Sequence, residues 1–313
     1  MFFILKWKDY LYKFLKSMSE RKGIILAGGT GSRLHPITLG VCKQLLPIYD
    51  KPMIFYALST LMLAGIRDIL IISTERDQSS FKRLLSDGNQ LGIKIKYAIQ
   101  DKPEGLAQAF IIGESFIKDS PVVLILGDNL FHGQDLISKL ENCNKSDRGA
   151  RLFAYAVSDP QNYGVAEFNK EGQLVDIVEK PEDPKSQYAI TGIYFYDNSV
   201  IRRAKELKKS KRGEYEITDL NLSYLKDGKL SVELMGRGMA WLDTGNFESL
   251  NEASGYIRTL EHRQGLKVGC PEEIAWRKGW INNNQLSALA HDLRKSDYGI
   301  YLKNLISGVE NIS

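Results

Sequence analysis

The stretch "GIILAGGTGSRL", residues 23–34, decides how the rest of the chain reads. Ile24, Ile25, Leu26 and Ala27 form an unbroken apolar run, which suits a strand buried on both faces. It leads straight into Gly28, Gly29 and Gly31, with Arg33 on the far side. Glycines let the backbone approach an anion closely, and successive N–H groups make a nest for phosphate oxygens. The arginine adds a planar fork of donors. Spacing excludes the two common phosphate loops. A Walker loop needs glycine five residues after Gly28, where Arg33 stands. A dinucleotide fingerprint starts at Gly29 and Gly31 but meets Leu34 at its third glycine. The plainer reading is a tight turn flanked by surface cations.

Downstream, strands and helices alternate. Residues 52–65 read as a helix with proline in the first turn and glycine at the end, 68–74 as a buried strand and 79–86 as a helix. Residues 93–99 follow as a strand, 105–116 as a helix and Val122–Leu126 as a strand ending at "GDN". This order predicts a mainly parallel sheet with right-handed crossovers, whose ligands sit beyond the carboxyl ends of the strands. From Arg151 the rhythm changes to short-linked strands: "RLFAYAV", "GVAEFN", "LVDIVEK" and "AITGIYFYD". Helices near 199–207 and at Ile217–Lys226, then the strand "LSVELM", come next. After Trp241 the pattern is helical, at 247–263, 272–278, 284–292 and 297–305.

The chain has 313 residues, 43% of them hydrophobic and 26% charged, ordinary values for a globular protein. A net charge of +4 argues against a bulk nucleic-acid binder, and half of it sits in residues 1–20. Cys42, Cys143 and Cys270 are odd in number and lack a C-x-x-C, which points to a reducing, cytoplasmic setting. No apolar run reaches the roughly 18 residues of a membrane span. Residues 1–17 set Phe3, Trp7, Tyr10 and Phe14 on one helical face among lysines. Three readings stand: an extension upstream of a start at Met18, a helix packed on the body or a partner, or a membrane-surface helix.

Candidate chemistry gathers at the predicted strand ends. Lys43 follows the loop by ten residues from Arg33 and suits the same phosphates. Asp128 and Asp243 each follow an apolar run and precede a polar turn. Paired with substrate phosphates, two such carboxylates suit Mg²⁺; separately, each suits a cap or turn. Gln100 offers a donor and an acceptor to a base edge. Glu179 and Lys180 suit a sugar hydroxyl and a phosphate, or a mere surface ion pair, and Gly164 leaves room for a sugar against backbone.

The motifs "LAGGTGSRLHP", "KQLLPIYDKPMI", "GLAQAF", "LGDN", "YGVAEF", "EKP", "TGIYFYD", "EITD" and "AWLDTG" stand in the order found in sugar-1-phosphate nucleotidyltransferases. From Arg21 to about Leu305 the chain resembles that family, most closely its bacterial thymidylyl-transferring branch. The resemblance implies a Rossmann-like α/β fold with a central mixed, mainly parallel sheet over residues 21–245. A C-terminal helical part would follow at 246–313, and residues 1–20 would be an extension. It also implies Mg²⁺, a cytoplasmic homotetramer, and the substrates dTTP and glucose 1-phosphate. The product, dTDP-glucose, would open dTDP-rhamnose supply.

By matching position, the resemblance gives Leu26, Gly28, Gly29, Gly31, Arg33, Lys43, Gln44 and Asp128 to the nucleotide, with Gln100 and Gly105 on thymine. It gives Asn129, Tyr163, Gly164, Glu179, Lys180, Ile190 and Arg212 to the glucose phosphate, and Asp128 with Asp243 to the metal. Arg33, Lys43, Lys180, Asp128 and Asp243 would be the catalytic set. A second, regulatory site for dTDP-rhamnose would include Gly236, Arg237, Glu272 and Glu273; otherwise Gly236 and Gly238 merely form a turn.

Rivals remain at this level. UTP in place of dTTP gives a uridylyltransferase, since the two bases differ by one methyl. An NAD-linked oxidoreductase is opposed by the missing third glycine. A glycosyltransferase is opposed by the lack of a D-x-D motif, and a binding protein without catalysis by the retained charged set.

Overall fold

A computed structural model describes residues 20–308. The aromatic and lysine-rich stretch and the start at Met18 lie outside the described residues. The strands in chain order are β1 (Lys22–Ala27), β2 (Pro47–Ile48), β3 (Lys51–Pro52), β4 (Asp68–Ser73), β5 (Lys94–Ile99), β6 (Val122–Leu126) and β7 (Asn129–His132). Then come β8 (Ala150–Ala156), β9 (Gly164–Phe168), β10 (Leu174–Glu179), β11 (Tyr188–Tyr196), β12 (Leu230–Met235) and β13 (Ala240–Asp243).

Nine strands form the central sheet, along the path β10-β9-β11-β6-β1-β4-β5, with β8 on β11 and β12 on β8. β1 lies between β4 and β6, parallel to both, and β4 is parallel to β5. β11 then runs antiparallel to β6 and to β8, so the sheet is mixed. Alternate residues of β1 feed two cores. Ile25 packs with Ala57 and Leu61 on one face, and Ile24 with Phe110 and Leu124 on the other. That double burial is why the run carries no polar residue. The C-terminal helices extend the first core, placing Ala275, Leu286 and Leu302 in one cluster with Ile25. The helix Phe247–Gln264 covers a third cluster through Ala253 and Ile257, which meet Leu34 and Met53.

Three expected helices are redrawn. The one at 105–116 is broken into Gln108–Ile112 and Glu114–Ile117. The break falls at Gly113, where a Cβ would lie 3.0 Å from Ile24 Cδ1 and 2.9 Å from the Ala109 carbonyl. The one at 79–86 starts earlier, at Glu75, because the Thr74 side chain caps it by accepting from the Asp77 N–H. The one at 52–65 shortens to Ile54–Leu63, since Pro52 belongs to β3. The helix Leu136–Asn144 and the small antiparallel sheet of β7 with β13 add to the elements expected from the sequence. That small sheet pairs Asp243 with Asn129, the residue after Asp128.

Candidate active site

β1 and β6 both end at one cleft, on the side where strand order reverses, the usual ligand position in such sheets. Two cavities meet there. The smaller, about 250 Å³, is lined by the loop from Gly28 to Arg33 with Lys43, Gln44, Asp128 and Gly245. The larger, about 550 Å³, shares Arg33, Asp128 and Gly245 with it and continues past Asn129, Tyr163, Gly164, Glu179, Lys180, Ile190 and Arg212 to Asp243. These volumes fit a nucleotide phosphate chain and a sugar phosphate.

The loop behaves as the glycines require. Gly29 and Gly31 take positive φ, 99° and 61°, which side-chain-bearing residues rarely adopt. The Arg33 guanidinium lies over Gly245, where a Cβ would come within 3.1 Å of Nη2. Thr38 Oγ1 donates to the Gly31 carbonyl at 2.7 Å and braces the turn.

At the junction, Lys43 Nζ bonds Asp128 Oδ2, and Asn129 Nδ2 donates to Asp128 Oδ1 at 3.0 Å. Asn129 Oδ1 accepts from the Trp241 indole at 2.6 Å and the Gly192 N–H at 3.1 Å. Thr244 Oγ1 donates to the Asp128 carbonyl at 2.7 Å, tying the end of β13 to the end of β6. Burial and then the Asp128 charge push the Asp243 carboxyl above the ordinary range, against the pull of Lys43, Arg33 and Lys180. Asp128 and Asp243 line one cavity, and two carboxylates there suit a hard divalent cation with an all-oxygen donor set. Among the described residues no third acid, histidine or cysteine joins them. Substrate phosphates would therefore complete the shell, as Mg²⁺ commonly requires.

On the sugar side, Glu179 pairs not with its neighbour Lys180 but with Thr218, whose hydroxyl donates to Oε2 at 2.6 Å. Arg212 adds a longer contact to Glu179 at 3.4 Å and holds Glu216 at 2.8 Å. Lys180 sits in the left-handed region at φ 45°, with its N–H on the Tyr163 carbonyl at 2.9 Å. That conformation is unfavourable for lysine and turns it away from the strand alternation of β10. Trp241 and Thr218 carry contacts at the site that the sequence alone does not show. Both stand inside quoted motifs, and only their cross-chain partners reveal them.

Leu26, Gln100 and Gly105 do not line either cavity. Leu26 is buried, with its carbonyl accepting from the Gly127 N–H. Gln100 stands behind Gly28, where a Cβ would fall 2.3 Å from its Oε1. Gly105, at φ 100°, abuts the Tyr215 backbone. The four regulatory candidates line neither cavity. Gly236 to Met239 form a turn closed by the Met239 N–H on the Gly236 carbonyl, with Arg237 exposed in it. Glu272 accepts from Tyr298 Oη at 2.6 Å, and Glu273 from Tyr301 Oη at 2.5 Å and Arg277 at 2.8 Å.

A glycine loop, two carboxylates and four cations around one cleft suit a nucleotidyl-transferring site. The chain belongs to the nucleotidyl transferase family, whose model matches residues 22–259. Within that family it falls with the glucose-1-phosphate thymidylyltransferases. The enzyme of that name from Xanthomonas campestris pv. campestris (strain B100) is 58% identical over 288 residues, 92% of this chain and 98% of the relative. A Bacillus anthracis crystal structure provisionally given the same name, in complex with a sucrose, superposes with a TM-score of 0.71. It is 43% identical, covering 76% of this chain and 95% of that one. A UDP-glucose pyrophosphorylase complexed with UDP-glucose shares the fold at TM-score 0.68 but is 28% identical, covering 77% of this chain and 99% of that one.

Proposed function

We infer that the chain joins dTTP to α-D-glucose 1-phosphate, giving dTDP-α-D-glucose and pyrophosphate. The carrying observation is the junction, where Asp128, Asp243, Lys43 and Arg33 stand between a phosphate nest and a sugar-sized cleft. The 58% identity to thymidylyltransferases, against 28% to a uridylyl enzyme, favours thymine. UTP is the second reading, since one methyl is worth only about 1–3 kcal/mol in a pocket.

An oxygen of the sugar phosphate attacks the α-phosphorus, and the bond from that phosphorus to the bridging oxygen of pyrophosphate breaks. The nucleophile arrives ionised, so no general base is needed. The chain's task is alignment and neutralisation of charge. In this reading Lys180 and Arg212 hold the incoming phosphate, and Glu179, set by Thr218, takes sugar hydroxyls. The loop N–H groups, Arg33 and Lys43 hold the triphosphate, Gln44 lies at the loop's inner wall, and Gln100 and Gly105 meet the base. Asp128 and Asp243 would hold Mg²⁺, which when bound supplies positive charge beside the triphosphate oxygens. Lys43 must then release Asp128 and turn to the phosphates.

We also propose a cytoplasmic homotetramer opening dTDP-rhamnose supply and restrained by dTDP-rhamnose at a second site near Arg237. Family resemblance supports these parts. Pyrophosphate release, crossing four nucleoside triphosphates with several sugar 1-phosphates, tests the reaction. A preference for any pair other than dTTP and glucose 1-phosphate overturns it. Inhibition by dTDP-rhamnose that persists at saturating dTTP and is relieved by Arg237→Ala tests the second site.

A further inference from the structure

Gln100 follows β5 and is 4% exposed, with its carboxamide standing over Gly28. A carboxamide presents a donor on one side and an acceptor on the other, and which side faces the loop at Gly28 decides what it can read. Its neighbours settle the matter. Gln108 Oε1 accepts from the backbone N–H of Glu104 at 3.2 Å, a group that only donates. Gln108 Nε2 donates to Glu104 Oε2 at 3.3 Å, and an ionised carboxylate only accepts. Turning the Gln108 amide over breaks both bonds, so its orientation is fixed. Lys209 Nζ, 2.6 Å from Glu104 Oε1, anchors the far end of the chain.

Gln108 Oε1 also receives Gln100 Nε2 at 2.6 Å. The NH₂ of Gln100 is thereby committed inward. Its carbonyl oxygen is left at the loop, and no donor among the described residues reaches it.

We propose that Glu104 and Gln108 are positioning residues that lock Gln100 as an obligate acceptor, so that the site selects pyrimidines bearing N–H at ring position 3. Thymine and uracil carry that hydrogen. Cytosine presents a lone pair at the same position, and two acceptors then face each other unpaired. Sites built around a specific hydrogen bond reject analogues that cannot make it far more strongly than apolar pockets reject a methyl group. The lock therefore sets the imide-against-cytosine choice and leaves the thymine-against-uracil choice to the methyl. This inference rests on the reading of Gln100 as a base contact.

The test measures kcat/KM for dTTP and dCTP on the full chain at saturating glucose 1-phosphate. Gln108→Leu frees the Gln100 amide to turn, so the dTTP-to-dCTP ratio falls by about tenfold or more, while the KM for glucose 1-phosphate stays put. The exchange Glu104→Gln with Gln108→Glu rebuilds the same pattern, an acceptor at 108 for Gln100 and for the Glu104-position N–H, and restores most of the ratio. Should Gln108→Leu fail to fold, Glu104→Ala removes the fixing carboxylate and reads the same ratio. A folded Gln108→Leu protein with slower turnover but an unchanged ratio overturns the proposal. Gln100→Leu separates the two failures. If it collapses the ratio and Gln108→Leu does not, the lock is wrong; if neither moves the ratio, Gln100 does not meet the base.

Discussion

The two ends of the cleft are held by different means. The nucleotide end is one turn of backbone, Gly28 to Arg33, carried on a strand buried on both faces. The sugar end is a set of side chains held by other side chains, such as Glu179 by Thr218, 39 residues apart, and Asn129 by Trp241, 112 residues apart. Backbone nests fail when an added atom fills them. Side-chain networks fail when one donor is removed. The junction at Asp128 depends on both ends, through Lys43 on one side and Asn129 on the other.

The largest effect is therefore expected at the junction. Asp128→Asn keeps the shape and an acceptor for Lys43 but removes the charge. Turnover should fall by at least ~10²-fold, the scale of losing one preorganised electrostatic group. Pyrophosphate release in the variant at wild-type rates, with ordinary Mg²⁺ dependence, would show that Asp128 is only a turn residue.

At the nucleotide end, Gly28→Val drives a side chain into Gln100 Oε1, since even a Cβ would lie 2.3 Å away. The KM for dTTP should rise by about tenfold or more, with the KM for glucose 1-phosphate nearly unchanged; displacement of Gln100 costs on the order of one overpacking event, about 1–3 kcal/mol. At the sugar end, Thr218→Val removes the 2.6 Å donor to Glu179 without changing shape. Loss of one such bond costs about 1 kcal/mol, so the KM for glucose 1-phosphate should rise roughly fivefold and that for dTTP should not. If each variant moved both KM values alike, the two ends would be one mechanical unit and the contrast would be false.

The same contrast explains what could be read from the sequence. Residues 28–33 declare themselves because the chemistry and the spacing coincide within one turn. Asp128 and Asp243 are legible as carboxylates at the ends of apolar runs, and both line the larger cavity. The sequence leaves Glu179 open to pairing with Lys180, its neighbour. Consecutive strand residues point to opposite faces, and Lys180 leaves the strand at positive φ, so the true partner lies on a distant helix. The β7–β13 ribbon is four residues on each side, too short for any alternation to show. At Gly113, where the helix breaks, a Cβ would lie 3.0 Å from Ile24 Cδ1, a close approach no local pattern encodes.

The smallest effect should touch neither end. Asp50 and Lys51, on the β2–β3 ribbon, meet Glu261 and Lys267 of the C-terminal part, with Lys51 Nζ 2.7 Å from Glu261 and Lys267 Nζ 2.8 Å from it. Lys267 also bonds Asp50. Burial pushes the Asp50 carboxyl up, but Lys51 and Lys267 together outweigh it and hold the group below its ordinary range. Burial likewise pulls the Lys267 ammonium down, and its bonds to Asp50 and Glu261 overcome that and hold it high. A depressed carboxyl contributes stability that is present above its unfolded pKa and lost as pH falls through the folded one. A raised ammonium contributes stability that is present below its unfolded pKa and lost as pH rises through the folded one. The cluster should therefore stabilise most between roughly pH 5 and 9, bounded by the ordinary carboxylate and lysine values. Lys267→Met should lower stability by about 1–2 kcal/mol at pH 7, between the cost of an exposed pair and a buried one. That deficit, read from urea midpoints, should shrink toward pH 3, where wild type loses its own Asp50 contribution. Both KM values should stay at wild-type levels. A deficit that is constant with pH would mean that the Lys267 ammonium acts over the Tyr49 and Tyr298 rings, 5.9 and 6.0 Å away, and not through the Asp50 carboxylate.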